Sequence, residues 1–161
     1  RQRQMCIRDR RSAGVISEAG VPGVADPGAL VVEACHRRGI RVVPLVGPSS
    51  IVMAVMASGL NGQSFAFNGY LPVKPPERVQ AIRRFERRAH AEGQSQLFIE
   101  APYRNVKLME QLLQTLAPET RLTVAMDITA PGEFIRTLRV REWRAAELPA
   151  MNKRPAIFII G

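Results

Sequence analysis

The stretch Ser17-Glu18-Ala19-Gly20-Val21-Pro22-Gly23-Val24-Ala25-Asp26-Pro27-Gly28 follows the apolar residues 13–16 and precedes a helical pattern. Glycine lets a backbone approach another group closely, and a loop leading into a helix N-terminus presents N–H donors suited to a carboxylate or phosphate. In an open α/β sheet, the loop leaving the carboxyl end of a strand is where ligands bind. The stretch reads as a ligand loop, with an ordinary strand-to-helix turn as the plainer alternative. Further along, Glu100 and Asp127 end apolar runs and are the candidate carboxylates for proton transfer, although Glu100 can equally form an ion pair with Arg104. Ser49-Ser50 ahead of the apolar residues 51–58 is a helix cap, alone or combined with a ligand contact. The segment 77–91 sets Arg78, Arg83, Arg84, Arg87 and Arg88 against Glu77 and Glu86, as either a solvated face or a phosphate-contacting one.

The elements that must position these residues alternate. Residues 13–17 read as a strand and 26–38 as a helix with Asp26 and Pro27 at its start, Leu30, Val31, Ala34 and Cys35 on one face and Gly39 at its end. A strand over 40–45, the turn Gly47-Pro48-Ser49-Ser50 and a short helix over 51–58 closed by Gly59 complete a β-α-β-α pattern, that of a parallel, helix-covered sheet. The composition shifts near Gly62, where a domain boundary is placed. Residues 65–67 read as a strand, 70–76 as a proline-rich loop and 77–91 as a helix with Val79, Ile82 and Phe85 as its apolar stripe. Strands follow over 96–100 and 122–127. Between them a helix over 105–116 should turn Val106, Met109, Leu112 and Leu113 inward, and 134–140 and 156–160 supply an antiparallel strand and a last strand.

Composition bounds the rest. The 161 residues, 46% hydrophobic and 23% charged, suffice for one ordinary domain or two small ones, and no apolar run approaches the roughly 18 residues that span a bilayer. A cytoplasmic location without membrane attachment is the expectation. Cys6 and Cys35 make no disulfide framework, His36 and His90 lack partners at zinc-like spacing and read as surface residues, and no metal is expected. The net charge of +9 includes Arg1, Arg3, Arg8 and Arg10 against Asp9, a net +3 within residues 1–10. That leader has no periodicity or capping logic and resembles a translated sequencing-adapter remnant, so it is expected to be non-native. The native sequence would then open abruptly before a buried strand, as a truncated fragment prone to aggregate through exposed apolar surface. The remaining +6 favours an anionic partner.

From residue 13 onward the chain resembles the tetrapyrrole-methylase superfamily, and within it the ribosomal small-subunit methyltransferase I family. The resemblance is carried by residues 17–28, Arg41-Val42-Val43-Pro44-Leu45-Val46-Gly47-Pro48, Ala57-Ser58-Gly59-Leu60, Asn68-Gly69-Tyr70-Leu71-Pro72 and Glu100-Ala101-Pro102-Tyr103-Arg104, in the family's order and spacing. It implies a two-domain α/β fold: an incomplete N-terminal α/β domain over 11–62 and a mixed-sheet C-terminal domain over 63–161. It further implies an S-adenosylmethionine-dependent methyltransferase, working as a homodimer, that methylates a ribose 2′-hydroxyl of small-subunit ribosomal RNA. More distant relatives methylate small molecules or proteins, and a non-catalytic cofactor- or RNA-binding fragment is the reading from a different class.

Carried over position by position, Gly20, Val21, Pro22 and Val24 correspond to the cofactor loop, Ser50 and Ile51 to the pair at the methionine moiety, and Ile99, Glu100 and Met126 to the second wall. Tyr103, Arg104, Arg84, Arg87 and Arg88 are the substrate candidates. The family's first-strand cofactor loop has no counterpart here, so the fragment is expected to be inactive alone. Val21 stands in place of a polar residue and Tyr103 in place of a histidine. Met126-Asp127-Ile128-Thr129-Ala130 stands where the family reads Arg-Glu-Leu-Thr-Lys, without either positive charge.

Overall fold

The computed structural model describes residues 12–17 and 20–161; the leader 1–10, Arg11, and Glu18 and Ala19 of the glycine loop lie outside the described residues. The chain divides into two compact units, Arg1–Ser49 and Ser50–Gly161.

The first unit holds one helix, α1 (Ala29–Arg37). It starts later than the predicted residue 26. Its N-cap is Gly28, at φ 155°, with no side-chain cap, while Asp26 and Pro27 stay in the loop. The reason is local: Ala25 takes a left-handed φ of 55°, and a residue preceding proline is turned away from helix. The far end follows the expected logic. Gly39 at φ 62° donates to the His36 carbonyl at 3.1 Å, and Ile40 to that of Cys35 at 2.9 Å, the paired bonds of a Schellman ending. Of the predicted apolar face, Val31, Ala34 and Cys35 are half-buried, but Leu30 is 80% exposed. The strands expected over 13–17 and 40–45 are not formed among the described residues. A strand exists through its ladder, and these runs have no ladder partner among them.

The second unit is a five-stranded mixed sheet in the order β1-β2-β5-β3-β4. Its elements are α2 (Ser50–Ser58), β1 (Phe65–Tyr70), α3 (Pro75–Glu92), β2 (Ser95–Ile99), α4 (Asn105–Thr115), β3 (Arg121–Met126), β4 (Phe134–Arg139), α5 (Val140–Ala145) and β5 (Ala156–Ile160). β1 and β2 are parallel; β5 runs antiparallel to both β2 and β3, and β4 antiparallel to β3.

Side-chain alternation splits the apolar residues between two faces. Phe98, Val124, Met126, Phe158 and Ile160 pack with Ile82, Phe85, Leu108, Met109 and Trp143 from α3, α4 and α5. Leu97, Ala125, Ile157 and Ile159 pack with Ala54 and Val55 of α2. That second contact is why the compact units part at Ser49 and Ser50, whereas the shift in composition falls near Gly62. Thr137 strengthens it: its hydroxyl donates to the Ser58 carbonyl at 2.6 Å, so Thr123, 2.7 Å from Thr137, must be the donor of their pair.

On α4 the inward positions are Leu108, Met109 and Leu112, with Leu113 packed beside them, while Val106 is exposed rather than inward. The helix α5 was not anticipated. Its Trp143 is fully buried and donates from Nε1 to the Leu122 carbonyl at 2.8 Å, satisfying the indole's single polar group.

Candidate active site

Because β5 is antiparallel to both β2 and β3, strands β1, β2 and β3 all point the same way. The pairings Ile99 with Ile157 and Met126 with Ala156 bring the carboxyl ends of β2 and β3 to the start of β5. This edge is where an α/β sheet offers its loops to a ligand. Gathered there are the segment after β1, the turn 101–104, the segment 127–133 and residues 153–155.

Glu100 organises the edge. Its side chain is buried, and its Oε1 accepts from the Ala101 N–H at 2.7 Å and from Arg104 Nε and Nη2 at 2.9 and 2.7 Å. Its Oε2 receives no hydrogen bond, and Arg78 Nη2 lies 3.7 Å from it. Arg78, also buried, donates to the carbonyls of Pro72 at 2.8 Å and Val73 at 3.0 Å. One carboxylate between two guanidinium groups thus fastens the segment after β1, the start of α3 and the turn after β2. The hydrogen bonds it donates to Glu100 are the main cause holding the Arg104 guanidinium above its ordinary pKa, against the opposing effect of burial.

Tyr103 stands at the surface of this cluster, 65% exposed, with Arg104 Nη1 donating to its hydroxyl at 3.1 Å and the guanidinium carbon 5.1 Å from its ring centre.

The neighbouring half is built on Arg154. Its Nε donates to Asp127 Oδ2 at 2.6 Å, and Nη2 to the Gly132 carbonyl. Asn105 donates to the Arg154 carbonyl at 2.6 Å and keeps a buried Oδ1 without a donor. Asp127, Thr129 and Lys153 have left-handed φ values of 47°, 69° and 60°. For a β-branched threonine this conformation is strained, and such strain gathers at functional sites.

The structure therefore brings Ile99, Glu100, Tyr103, Arg104, Met126 and Asp127 to one edge, but with altered parts. Met126 turns its side chain into the core, leaving only its strand end at the site. Glu100 and Asp127 are both committed to guanidinium partners, so neither stands free as a base. Ser50 and Ile51 open α2. Gly20, Val21, Pro22 and Val24 lie in the first unit, where the Val24 N–H donates to the Val21 carbonyl at 3.1 Å in a tight turn. Arg84, Arg87 and Arg88 are exposed on α3, with Arg88 paired to Glu92 at 3.1 Å.

Arg78, read as part of a solvated or phosphate-contacting face, is instead buried, and Asn105 and Arg154 were missed. For Arg78 a signal existed: it shares the spacing of Ile82, Phe85 and Ala89, and an arginine on a buried helical stripe must have a partner inside. Asn105 and Arg154 carry no such pattern, because contacts between distant segments bring them in. Among the described residues, no group of three or more His, Cys, Asp or Glu side chains is placed to hold a metal ion, and no helix is long and apolar enough to cross a membrane.

No protein-family model matches the sequence. It is 36% identical over 149 residues to the ribosomal RNA small subunit methyltransferase I of Xylella fastidiosa, covering 92% of this chain and 53% of that protein. To the protein of the same name from Mesorhizobium japonicum it is 34% identical over 147 residues, covering 89% and 49%. The chain spans about half the length of the curated relatives it matches. Among solved structures, the methyltransferase CobJ aligns with a TM-score of 0.62 at 22% identity, over 99% of this chain and 67% of that one. The uroporphyrin III C-methyltransferase of Thermus thermophilus aligns with a TM-score of 0.51 at 18% identity, over 99% and 70%. By sequence the chain is a relative of the ribosomal RNA small subunit methyltransferase I proteins, and by fold it is an α/β protein of the tetrapyrrole-methylase type.

Proposed function

We propose that this chain forms part of a cytoplasmic, homodimeric S-adenosylmethionine-dependent methyltransferase that acts on small-subunit ribosomal RNA, at a ribose 2′-hydroxyl. The observation that carries the reading is the identity of 30% or more with proteins named for that RNA, along 81% or more of this chain. The sheet edge supports it, with buried charge, strained backbone and an exposed Tyr103 at the ends of parallel strands.

The donor fits the residues on offer. A Cβ at Gly23 would meet nothing within 4 Å and one at Gly20 only the Ser17 hydroxyl at 3.9 Å, so the loop backbone is open to close approach. Within the second unit, Ser50, Ile51, Ile99, Glu100 and Met126 are the residues that would hold it. Bound there, S-adenosylmethionine supplies a methyl carbon already activated by its positive sulfur. The protein's share is then to align the acceptor and exclude water. Arg78 and Arg104 fix the edge by clamping Glu100, and Tyr103, braced by Arg104, orients the acceptor. Deprotonation of the hydroxyl is assigned to neither Glu100 nor Asp127, since each already holds an arginine.

Titration calorimetry with S-adenosylmethionine, followed by tritiated-methyl transfer from the full-length parent protein to small subunits lacking the modification, tests the reading. Incorporation into the RNA supports it; cofactor binding without transfer to RNA overturns it. A second reading, methylation of a small molecule or protein on the same fold, is favoured by the segment 126–130, whose acidic Asp127 is neutralised by Arg154 and leaves no free cation there. Salt-insensitive substrate binding would single it out.

A further inference from the structure

We propose that the outer face of α3 is a docking groove for the sugar-phosphate backbone of RNA, with Arg83, Arg84 and Arg87 as its phosphate ligands. The groove encloses about 500 Å³ and is lined by these arginines with Gln80, Ala81, Glu77 and Pro72.

Its charge is positive, three arginines against Glu77. Among the described residues the three guanidinium groups have no carboxylate partner, while the acids of the same helix are spent elsewhere. Glu77 holds Lys74 at 3.4 Å, Glu92 holds Arg88 at 3.1 Å, and Glu86 accepts from the Thr120 hydroxyl and the Ala117 N–H at 2.5 and 2.7 Å.

Helix stability does not require this arrangement. The core stripe of α3 is Arg78, Ala81, Ile82, Phe85 and Ala89, and the groove arginines lie off it. Arg83 and Arg84 stand four and three residues before Arg87, spacings at which like charges repel by about 0.2–0.5 kcal/mol per pair. The helix thus carries a small local cost that an anionic ligand would relieve. Arg84 lies with its guanidinium carbon 5.0 Å from the Phe85 ring centre, which steadies the side chain while its N–H edges stay available for a phosphate. With a rise of about 1.5 Å per residue, Arg84 and Arg83 stand about 4.5 and 6 Å before Arg87 along the axis, so the cations cover two turns, a spread that suits a polyanion more than one compact anion. Pro72 also joins the groove to the sheet edge: it lines the groove, and its carbonyl is held by Arg78, the partner of Glu100. A strand lying along α3 is led towards Tyr103.

The choice of RNA over another polyanion rests on the function proposed above, but the experiment separates the two. Binding of a fluorescein-labelled single-stranded RNA of mixed sequence is followed by anisotropy over a salt series, for the chain and for the triple variant Arg83→Ala, Arg84→Ala, Arg87→Ala. Each phosphate contact to a single strand contributes about 0.7 to the slope of log K against log salt, so the variant should bind at least ~10-fold more weakly with a slope shallower by about 2. Arg141→Ala, whose side chain is held by Glu119, should stay within about twofold of the parent. All these side chains are exposed, so an unchanged urea transition confirms that the variants fold. Wild-type affinity and slope in the triple variant overturn the proposal, as does equal competition by polyglutamate, which would mark an acidic protein as the partner. Lost RNA binding in the triple variant upholds the groove even where no methyl transfer is found, a result that would sink the enzyme reading alone.

Discussion

Residues 12–49 and the unit Ser50–Gly161 differ in what holds them together. Among the described residues of the first, not one is buried, and Ile16, Leu30, Leu45 and Val46 lie open to solvent. The second closes two apolar layers around a sheet and buries Phe98, Phe158 and Trp143 completely. Yet the glycine loop, the most telling motif in the sequence, lies in the unit whose described residues include none that is buried. A motif is made by a few backbone positions, whereas a core is made by many side chains, so recognition and stability can be concentrated in different parts of one chain.

The sharpest way to break this contrast is to remove a large side chain from each unit. Phe98 stacks between Phe85 and Phe158, with ring centres 6.4 and 6.2 Å away, and Phe98→Ala should cost about 3–5 kcal/mol. Leu30→Ala, at a position 80% exposed, should stay within about 0.5 kcal/mol. Trp143, the single tryptophan, reports the second unit in urea unfolding, and exchange of the α1 amides reports the first. Equal losses would show that α1 buries its apolar residues after all.

Next in size is the charge cluster at the sheet edge. Glu100→Ala leaves Arg78 buried beside an empty position, and removing one partner of a buried pair costs about 3 kcal/mol. Glu100→Gln, which keeps an acceptor for Arg104 and the Ala101 N–H, should lose clearly less in the same urea titration. If both variants unfold alike, the carboxylate charge matters and the hydrogen-bond geometry does not.

A smaller effect tests where the second unit begins. Thr137→Val deletes the donor to the Ser58 carbonyl and the acceptor for Thr123, and should cost about 1–2 kcal/mol. Its signature in amide exchange is faster opening of α2 together with β4. An α2 that exchanges independently of the sheet would place it with the first unit.

Legibility in the sequence follows the same division. The endings at Gly39 and Gly59 were readable, because a left-handed glycine is a local requirement. β5 was readable to the residue, since the run Ala156–Ile160 is buried on both faces. Val106 was misplaced because helical spacing alone does not choose between neighbouring faces, and the sheet selected the one carrying Leu108. At the site, Glu100 and Arg104 were visible as a pair four residues apart. Arg154 was not, being tied to Asp127 across 27 positions of sequence by a contact that only the folded sheet edge creates.

A further, smaller change probes a place where the first unit is closely packed. Gly28 accepts from the Val31 and Val32 N–H groups at 2.9 and 3.1 Å, and at its φ of 155° a Cβ would stand 3.1 Å from the Gly23 backbone nitrogen. Backbone cannot yield as a flexible side chain can, so Gly28→Ala should disturb the loop and the start of α1 by about 1 kcal/mol. With no buried residue in that helix, the loss should be absent from the Trp143 transition and read instead as roughly fivefold faster exchange of the α1 amides. A shift of the global transition by the same amount would mean that the glycine loop is coupled to the core, and the contrast between a recognising unit and a stabilising one would have to be given up.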